Sequence, residues 1–160
     1  MQVRLFKPED SEQIAQLFHD TVRKINIQHY SPEQIQAWAT DDIYLRDWLE
    51  VCSHRFTYVA QKDDKIVGFG ELEADGHIDC FYTHYQHQGE GVGSRIYQAI
   101  EIKARELDLA CLFTEVSITA KPFFISRGFS VIKQQQVWCR GQTFINYLME
   151  KLLAKTIEQH

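Results

Sequence analysis

The 160-residue sequence lacks several features that would place it in a specialised class of protein. It has no apolar run long enough to span a membrane, and its first residues contain no apolar signal-peptide core. Its formal net charge of -5 argues against nonspecific nucleic-acid binding and mildly favours a cationic substrate. It also has no internal repeat and no low-complexity linker. We therefore expect one cytoplasmic domain over residues 1–160, with neither a membrane nor a nucleic acid as partner.

The 4 cysteines are too widely spaced to form a Cys-x-x-Cys pair. Cys80 and Cys111 fall in predicted strands, where a reduced thiol in the core is the usual situation. His84 and His87 are close in sequence, but no cluster of cysteines or carboxylates completes the three or four ligands that zinc requires. The sequence therefore predicts no metal site.

The most informative segment is residues 88–94, which places three glycines between a predicted strand and a predicted helix. Residues 78–83 are aromatic and β-branched, as in a strand. Downstream, Val92, Ile96 and Ile100 recur at helical spacing. A glycine-rich turn that opens a helix presents free backbone N–H groups at the positive end of the helix dipole. Such a turn suits a phosphate or pyrophosphate.

Two common phosphate-binding patterns do not fit this segment. The P-loop needs a lysine after its last glycine, whereas Ser94 follows Gly93. The dinucleotide fingerprint needs a third glycine where Ser94 or Ile96 stands, depending on the register. What remains is Gln-x-x-Gly-x-Gly, formed by Gln88, Gly91 and Gly93. A nucleotide binder is a distant alternative, because the lysine and the magnesium-binding residues that it needs are missing.

Periodicity and turn residues predict helices packed on a mixed sheet. A capping box at residues 31–34 opens one helix, and a short helix is expected over residues 44–50. We expect an α/β (α+β mixed sheet) fold of about seven strands flanked by about four helices. The strands are predicted at residues 2–6, 55–61, 65–73, 77–83, 109–116, 129–138 and 143–152.

Two segments make the sequence similar to the GNAT superfamily of N-acetyltransferases. One is the strand and glycine segment at residues 81–94. The other is residues 117–129, which resemble the family's Asn-x-x-Ala-x-x-Phe-Tyr-x-x-x-Gly-Phe pattern. There Ser117 replaces the asparagine and Phe124 replaces the tyrosine. The resemblance covers nearly the whole chain and is strongest to the bacterial YafP-like subgroup of uncharacterised members.

The resemblance implies a GNAT-like acyl-CoA N-acyltransferase fold formed by residues 1–160 as a single domain. It also implies direct transfer of an acetyl group from acetyl-CoA to a primary amine of a small molecule or peptide in a ternary complex. A backbone N–H of the strand would polarise the thioester carbonyl. The implied acetyl-CoA contacts are Phe81, Tyr82, Thr83, Gln88, Gly89, Glu90, Gly91, Val92, Gly93, Ser94, Ser117, Ala120, Phe123 and Phe124.

The acid that protonates the leaving thiolate is not assigned by the resemblance. Many family members use a tyrosine at the position of Phe124, and a phenyl ring carries no proton to donate. Tyr82, Tyr147 and Tyr30 are the alternative donors, and release of the thiolate to water would need no dedicated acid. Phe124 is then expected to be a wall of the channel for the pantetheine arm.

The base has four candidates near one hairpin. Some relatives use a glutamate that aligns with His77, whose ordinary pKa of about 6.5 suits proton acceptance near neutral pH. Asp79 is expected on the same strand face as His77. Glu71 and Glu73 lie on the preceding predicted strand. The alternative interpretation is that these are solvated polar positions beside a hairpin.

The early helices and the last strands are expected to bind the acceptor, as the resemblance suggests. Tyr30 and Trp38 are aromatic candidates for the acceptor pocket, and Glu73 is a charged one. Pairing of the final strand edges would be compatible with a homodimer. A second function also stays open, in which the fold binds acyl-CoA as a sensor or interaction module without turning it over.

Overall fold

The computed structural model, which describes residues 1–154, contains seven strands and five α-helices. The expectation of about seven strands and a GNAT-like fold is confirmed, with one helix more than expected. The strands are β1 (Gln2–Leu5), β2 (Phe56–Lys62), β3 (Lys65–Leu72), β4 (Ile78–Thr83), β5 (Cys111–Ser117), β6 (Ser130–Cys139) and β7 (Gln142–Leu152). The helices are α1 (Ser11–Lys24), α2 (Pro32–Trp38), α3 (Trp48–Ser53), α4 (Val92–Glu106) and α5 (Lys121–Ser126).

The strands form two antiparallel sheets, ordered β1-β2-β3-β4 and β5-β7-β6. The two sheets meet where β4 and β5 run in the same direction, at a parallel bridge between His77 and Phe113. Nearby, the hydroxyl of Thr114 donates to the carbonyl of Ile78 at 2.8 Å. Within residues 1–154 no ladder joins β4 to β5 beyond this point. The mixed sheet is therefore split by a gap between these two strands.

Helix α4 packs closely against β3 because two glycines leave room for it. A Cβ atom on Gly68 would lie 2.7 Å from Val92 Cγ1, and one on Gly70 would lie 2.9 Å from Ile96 Cγ2. Real Cβ atoms do not approach carbon atoms so closely, so any larger residue would push the helix away. Val92, Ile96 and Ile100 are buried in this interface, and they fix the start of α4 beside the end of β4.

The short helix expected over residues 44–50 was wrongly placed, because it runs instead from Trp48 to Ser53. A side-chain oxygen of Asp42 accepts a hydrogen bond from the backbone N–H of Tyr44 at 3.0 Å, which holds a turn there. The carboxylate of Asp47 then caps the helix by accepting from the N–H of Glu50 at 3.1 Å. Because of these hydrogen bonds from the backbone to nearby side chains, the helix begins four residues later than predicted.

The remaining features agree with the sequence at the level of whole elements. The predicted capping box forms, since the side chain of Ser31 accepts from the N–H of Gln34 at 3.1 Å and Gln34 accepts in return from Ser31 at 2.8 Å. Cys80 and Cys111 lie in strands as free thiols. No helix within residues 1–154 is both long and apolar enough to cross a membrane.

Candidate active site

A cavity of about 390 Å³ fills the gap between β4 and β5. One wall comes from β4, another from β5 and the start of α5, and further lining residues come from α1, α2, β6 and β7. Many residues that the resemblance assigned to acetyl-CoA meet here. Those that line the cavity are Phe81, Tyr82, Thr83, Gln88, Gly93, Ser117, Ala120, Phe123 and Phe124.

The glycine segment forms the N-terminus of α4 beside this cavity. Gly91 is the N-cap residue, with φ +80°, and no side chain caps the first turn. A Cβ atom at Gly91 or Gly89 would meet nothing within 4 Å, so these glycines are required for their positive φ and not for space. The open N–H groups of the first turn therefore remain available to an anionic ligand.

Two side chains of the segment are held by the protein itself. The amide of Gln88 donates to the carbonyl of Thr83 at 2.7 Å and so ties the segment to the end of β4. The carboxylate of Glu90 pairs with His87 at 2.9 Å and with Lys62 at 3.5 Å. The negative charge of Glu90 is thus partly balanced by its neighbours.

Arg127, at the end of α5, is a residue of this region that the sequence analysis missed. Its guanidinium donates to the hydroxyl of Ser94 and lies over the ring of Phe123, with 5.2 Å between the guanidinium carbon and the ring centroid. Its buried Nε atom has no hydrogen-bond partner within residues 1–154. A cation with an unused donor therefore stands beside the open N-terminus of α4. Its place inside the family-like segment 117–129 was the only sequence signal.

Three phenylalanine rings form the apolar wall of the cavity. The ring centroids of Phe81, Phe123 and Phe124 are 5.3–5.4 Å apart in all three pairs. Gly93 lies against this wall, where a Cβ atom would be 3.3 Å from the ring of Phe123. We call this wall, together with residues 81–94 and 117–127, the glycine-loop side of the cleft.

Seven ionisable side chains form a second region, which we call the charged network. It is continuous through hydrogen bonds and ion pairs, and two of its acidic residues, Asp79 and Glu115, line the cavity. Its members are Arg46, Arg55, Glu71, Glu73, His77, Asp79 and Glu115.

A bulge in β4 brings two parts of this network together. Between its paired positions, β4 has two residues, Asp79 and Cys80, opposite the single residue Glu71 of β3. The carboxylate oxygens of Glu71 and Asp79 and the sulfur of Cys80 lie within 4.8 Å of one another, as the ligand atoms do in some metal sites. Arg46 and Arg55 already pair with both carboxylates, so a metal ion would have to displace two guanidinium groups.

His77 connects two glutamates in the network. Its Nδ1 atom lies 2.8 Å from Glu73, and its Nε2 atom lies 2.6 Å from Glu115. Burial disfavours the protonated ring, but the hydrogen bonds to Glu115 and Glu73 outweigh this and raise the pKa of His77. The ring itself does not line the cavity, and it reaches the cavity only through Glu115.

The other carboxylates differ in exposure and in proton affinity. Burial alone would raise the pKa of Asp79, but hydrogen bonds from Arg55 and Arg46 outweigh it and lower that pKa. Glu71 is fully buried and lines neither cavity described here, and burial raises its pKa in spite of both arginines. Glu115 contacts no arginine and is 39% exposed. It is a further site residue that the sequence analysis missed, although a charge within a predicted apolar strand was a signal.

The candidate tyrosines occupy different positions. The hydroxyl of Tyr30 is engaged twice, since it donates to the carbonyl of Ile145 at 2.8 Å and accepts from the N–H of Ile118 at 2.9 Å. Tyr147 does not line the cavity. Tyr82 lines it, and burial raises the pKa of Tyr82 well above its ordinary value. Tyr82 is therefore protonated at neutral pH.

A second cavity of about 330 Å³ adjoins the first and shares Trp38, Asp79, Tyr82 and Cys139 with it. Trp38 and Tyr30 contact each other edge to face, with their centroids 5.4 Å apart. Glu73, the third residue predicted to bind the acceptor, lines neither cavity. In the first cavity the buried Oδ1 atom of Asn146 has no partner within residues 1–154.

Comparisons with known proteins agree with this geometry. The family described as acetyltransferase (GNAT) domain matches residues 26–152. A protein of Escherichia coli strain K12, described as the uncharacterized N-acetyltransferase YafP, is 35% identical over 149 residues, which cover 93% of this chain and 94% of that protein. A GCN5-related N-acetyltransferase structure from Rhodopseudomonas palustris is 30% identical, covers 95% of each chain and has a TM-score of 0.89. The PaiA N-acetyltransferase of Thermoplasma acidophilum, solved with coenzyme A, shares the fold at 16% identity, with a TM-score of 0.79 over 95% of this chain and 98% of that one.

The structure thus has a cleft between β4 and β5 and, beside it, a glycine-rich segment at the start of a helix. Its fold is shared with acetyltransferases. The chain belongs to the GNAT family of N-acetyltransferases, and it is an enzyme of the acyltransferase class. The resemblance predicted from the sequence, to this family and to its YafP-like members, is confirmed.

Proposed function

We propose that this chain transfers the acetyl group of acetyl-CoA to a primary amine, by direct attack in a ternary complex. The observation that carries the proposal is the gap between β4 and β5, with an open helix N-terminus at one end and the Asp79 and Glu115 carboxylates inside. The amine nitrogen forms a bond to the thioester carbonyl carbon, the carbon–sulfur bond breaks, and the sulfur leaves with its electron pair. The nitrogen also loses a proton, which the protein must accept.

The glycine-loop side fits the donor substrate. The N–H groups at the start of α4 are suited to the pyrophosphate, and Arg127 adds a cation beside Ser94. Phe81, Phe123 and Phe124 offer an apolar wall to the pantetheine arm. The unpaired edge of β4 within residues 1–154 leaves backbone groups free to bind that arm and to polarise the thioester carbonyl.

We assign the role of general base to Glu115. Glu115 lines the cavity, and no arginine within residues 1–154 pairs with it, whereas Arg46 and Arg55 both hold Asp79. Glu71 is too deeply buried to contact a substrate. His77 acts as a positioning residue, because its Nε2–H holds the Glu115 carboxylate and its charge is balanced by Glu73.

Tyr82 is our candidate for protonating the leaving thiolate. Among the three candidate tyrosines Tyr82 lines both cavities, whereas the hydroxyl of Tyr30 is held by two backbone groups and Tyr147 lines neither cavity. Burial raises the pKa of Tyr82, so the phenol holds its proton at neutral pH and can offer that O–H group to the sulfur as negative charge develops on it.

A sensor that binds acyl-CoA without turnover is the alternative, and Phe124 is what favours it, because the family's usual acid is missing there. Thiol release separates the two functions. We expect the wild-type protein with acetyl-CoA to release thiol only when an amine is added, with an acetylated amine detected by mass spectrometry. Binding of acetyl-CoA without amine-dependent thiol release, across primary amines of small molecules and peptides, would favour the sensor.

The setting of the reaction follows from chemistry rather than from sequence signals. Free cysteines and a thioester substrate suit a reducing compartment, so we propose a cytoplasmic enzyme, and the bacterial sources of the two relatives at 30% identity or more lead us to propose a bacterial one. We also propose a homodimer through β6, because its outer edge is unpaired within residues 1–154 and Trp138 on it is 73% exposed. Sedimentation velocity tests this: wild type should be dimeric and Trp138→Lys monomeric, whereas a monomeric wild type would refute it.

A further inference from the structure

The second cavity has aromatic walls and a polar end. Phe18, Trp48 and Tyr82 contribute the apolar surface, and the polar atoms come from both helices and strands. Because Tyr82, Trp38, Asp79 and Cys139 also border the first cavity, an acceptor whose amine lies at this junction would extend its other end into the second cavity.

Charges within the second cavity are not all balanced. Arg46 and Asp79 pair with each other at 2.9 Å, and Arg55 and Glu71 complete a group of two cations and two anions. Arg140 also lines this cavity, and within residues 1–154 no carboxylate lies within 4.0 Å of its guanidinium. Asp42 also lines this cavity and forms no ion pair among these residues, and Asp42 and Arg140 are both exposed.

The backbone of Arg140 is in an unusual conformation for arginine. Arg140 and Gly141 form a two-residue hairpin turn between β6 and β7, with φ values of +43° and +85°. Turns of this kind favour asparagine or glycine at the first position, since other residues pay about 1 kcal/mol or more for a positive φ. Strain of this kind directs attention to what the side chain does.

Arg140 stabilises the fold through one hydrogen bond, and other N–H groups of its guanidinium form none in the described part of the chain. Its Nη1 atom donates to the carbonyl of Ala37 at 2.8 Å, which caps the end of α2. The Nε and Nη2 groups have no hydrogen-bond partner in the described part of the chain. His19 is another residue that lines this cavity, and its buried Nε2 atom has no hydrogen-bond partner within residues 1–154.

We propose that the acceptor amine also carries a carboxylate, and that Arg140 binds this carboxylate in the second cavity. The proposal rests on the acetyltransferase function argued above and names the class of its acceptor. The planar guanidinium offers parallel N–H donors that match the two oxygens of a carboxylate, and the aromatic walls take the body of the molecule between its amine and its acid.

Matched acceptors test this proposal. L-phenylalanine, γ-aminobutyrate and para-(aminomethyl)benzoate span three amine-to-acid spacings, and each is compared with its carboxamide by acetyl-CoA-dependent thiol release. We expect at least one acid to exceed its amide in kcat/KM by about 10- to 100-fold, the usual worth of a charge-assisted hydrogen bond. Equal kcat/KM values for acids and amides would overturn the proposal while leaving the acetyltransferase function intact. No thiol release with any acceptor would instead count against the acetyltransferase function.

Arg140→Asn is the decisive variant, because asparagine tolerates the positive φ and its short neutral side chain lacks the guanidinium, including the donor to Ala37. We expect it to raise KM for the preferred acid about tenfold or more, with a much smaller change for the matching amide. Arg105→Gln is the control, since Arg105 also donates to a backbone carbonyl, that of Ala154, but lies outside both cavities. An equal loss for acid and amide in Arg140→Asn, with a lowered Tm, would mean that Arg140 only caps α2 and would refute the proposal.

Discussion

The glycine-loop side and the charged network lie along the same cleft between β4 and β5, but they are built differently. The glycine-loop side comes from two short stretches of sequence, and its main feature is open backbone at Gly91 and an apolar wall. The charged network joins residues from the α2–α3 connection to β5 through side chains alone. Backbone sites tolerate many side chains but not a change of φ, whereas a side-chain network depends on each of its members.

Replacement of Glu115 should have the largest effect, and on turnover alone. Glu115→Gln keeps the size of the side chain but removes its ability to accept a proton, so we expect kcat to fall about 100-fold or more. The Kd for acetyl-CoA should change little. Glu106→Gln, on the exposed side of α4, is the matched control. If Glu115→Gln keeps wild-type turnover, the charged network does not hold the base.

A change at Gly91 should affect the glycine-loop side. It should weaken the binding of acetyl-CoA rather than slow the transfer step. Gly91→Glu adds strain at φ +80° and a negative charge where we expect a pyrophosphate, so the Kd for acetyl-CoA should rise about 100-fold. Gly141→Glu introduces the same residue at φ +85° in an open turn, and isothermal titration should show nearly unchanged acetyl-CoA binding. Equal losses in both variants would mean that strain, and not the position, matters.

Removal of the Tyr82 hydroxyl should have an intermediate effect. Because a thiolate is a good leaving group, we expect Tyr82→Phe to lower kcat only about tenfold, and to do so at every pH at which the phenol is protonated. Tyr147→Phe removes the same group outside the cavity and should leave the pH–rate profile unaltered. An unchanged profile for Tyr82→Phe would indicate that the thiolate leaves to water.

The smallest predicted effect concerns stability and pH. Since the pKa of His77 is raised in the folded protein, its protonated form stabilises the fold below the unfolded pKa of about 6.5, and this contribution is lost as the pH rises through the folded pKa. Wild type should therefore have a higher Tm than His77→Gln, and this difference in Tm should be about 2–4 °C larger near pH 6 than near pH 9. A Tm difference that grows with pH would contradict the direction of this shift.

The sequence predicted the glycine-loop side more completely than the charged network, for a physical reason. Three glycines between a strand and a helix are local, so the sequence alone located the glycine segment and the fold around it. Arg46 and Arg55 could not be found in this way, because a bulge in β4 turns Asp79 toward them from far along the chain. Arg127 and Glu115 were missed for the same reason, since each depends on a neighbour from another element.

The central claim is that the cleft between β4 and β5 holds acetyl-CoA through the glycine-loop side. A thermal-shift titration of the wild-type protein with acetyl-CoA, CoA and ATP tests it most directly, because a ligand that binds only the folded state raises Tm with concentration. We predict stabilisation by both CoA species and not by ATP, and its loss in Gly91→Glu. The absence of stabilisation by either CoA species, or an equal response to ATP, would contradict this account.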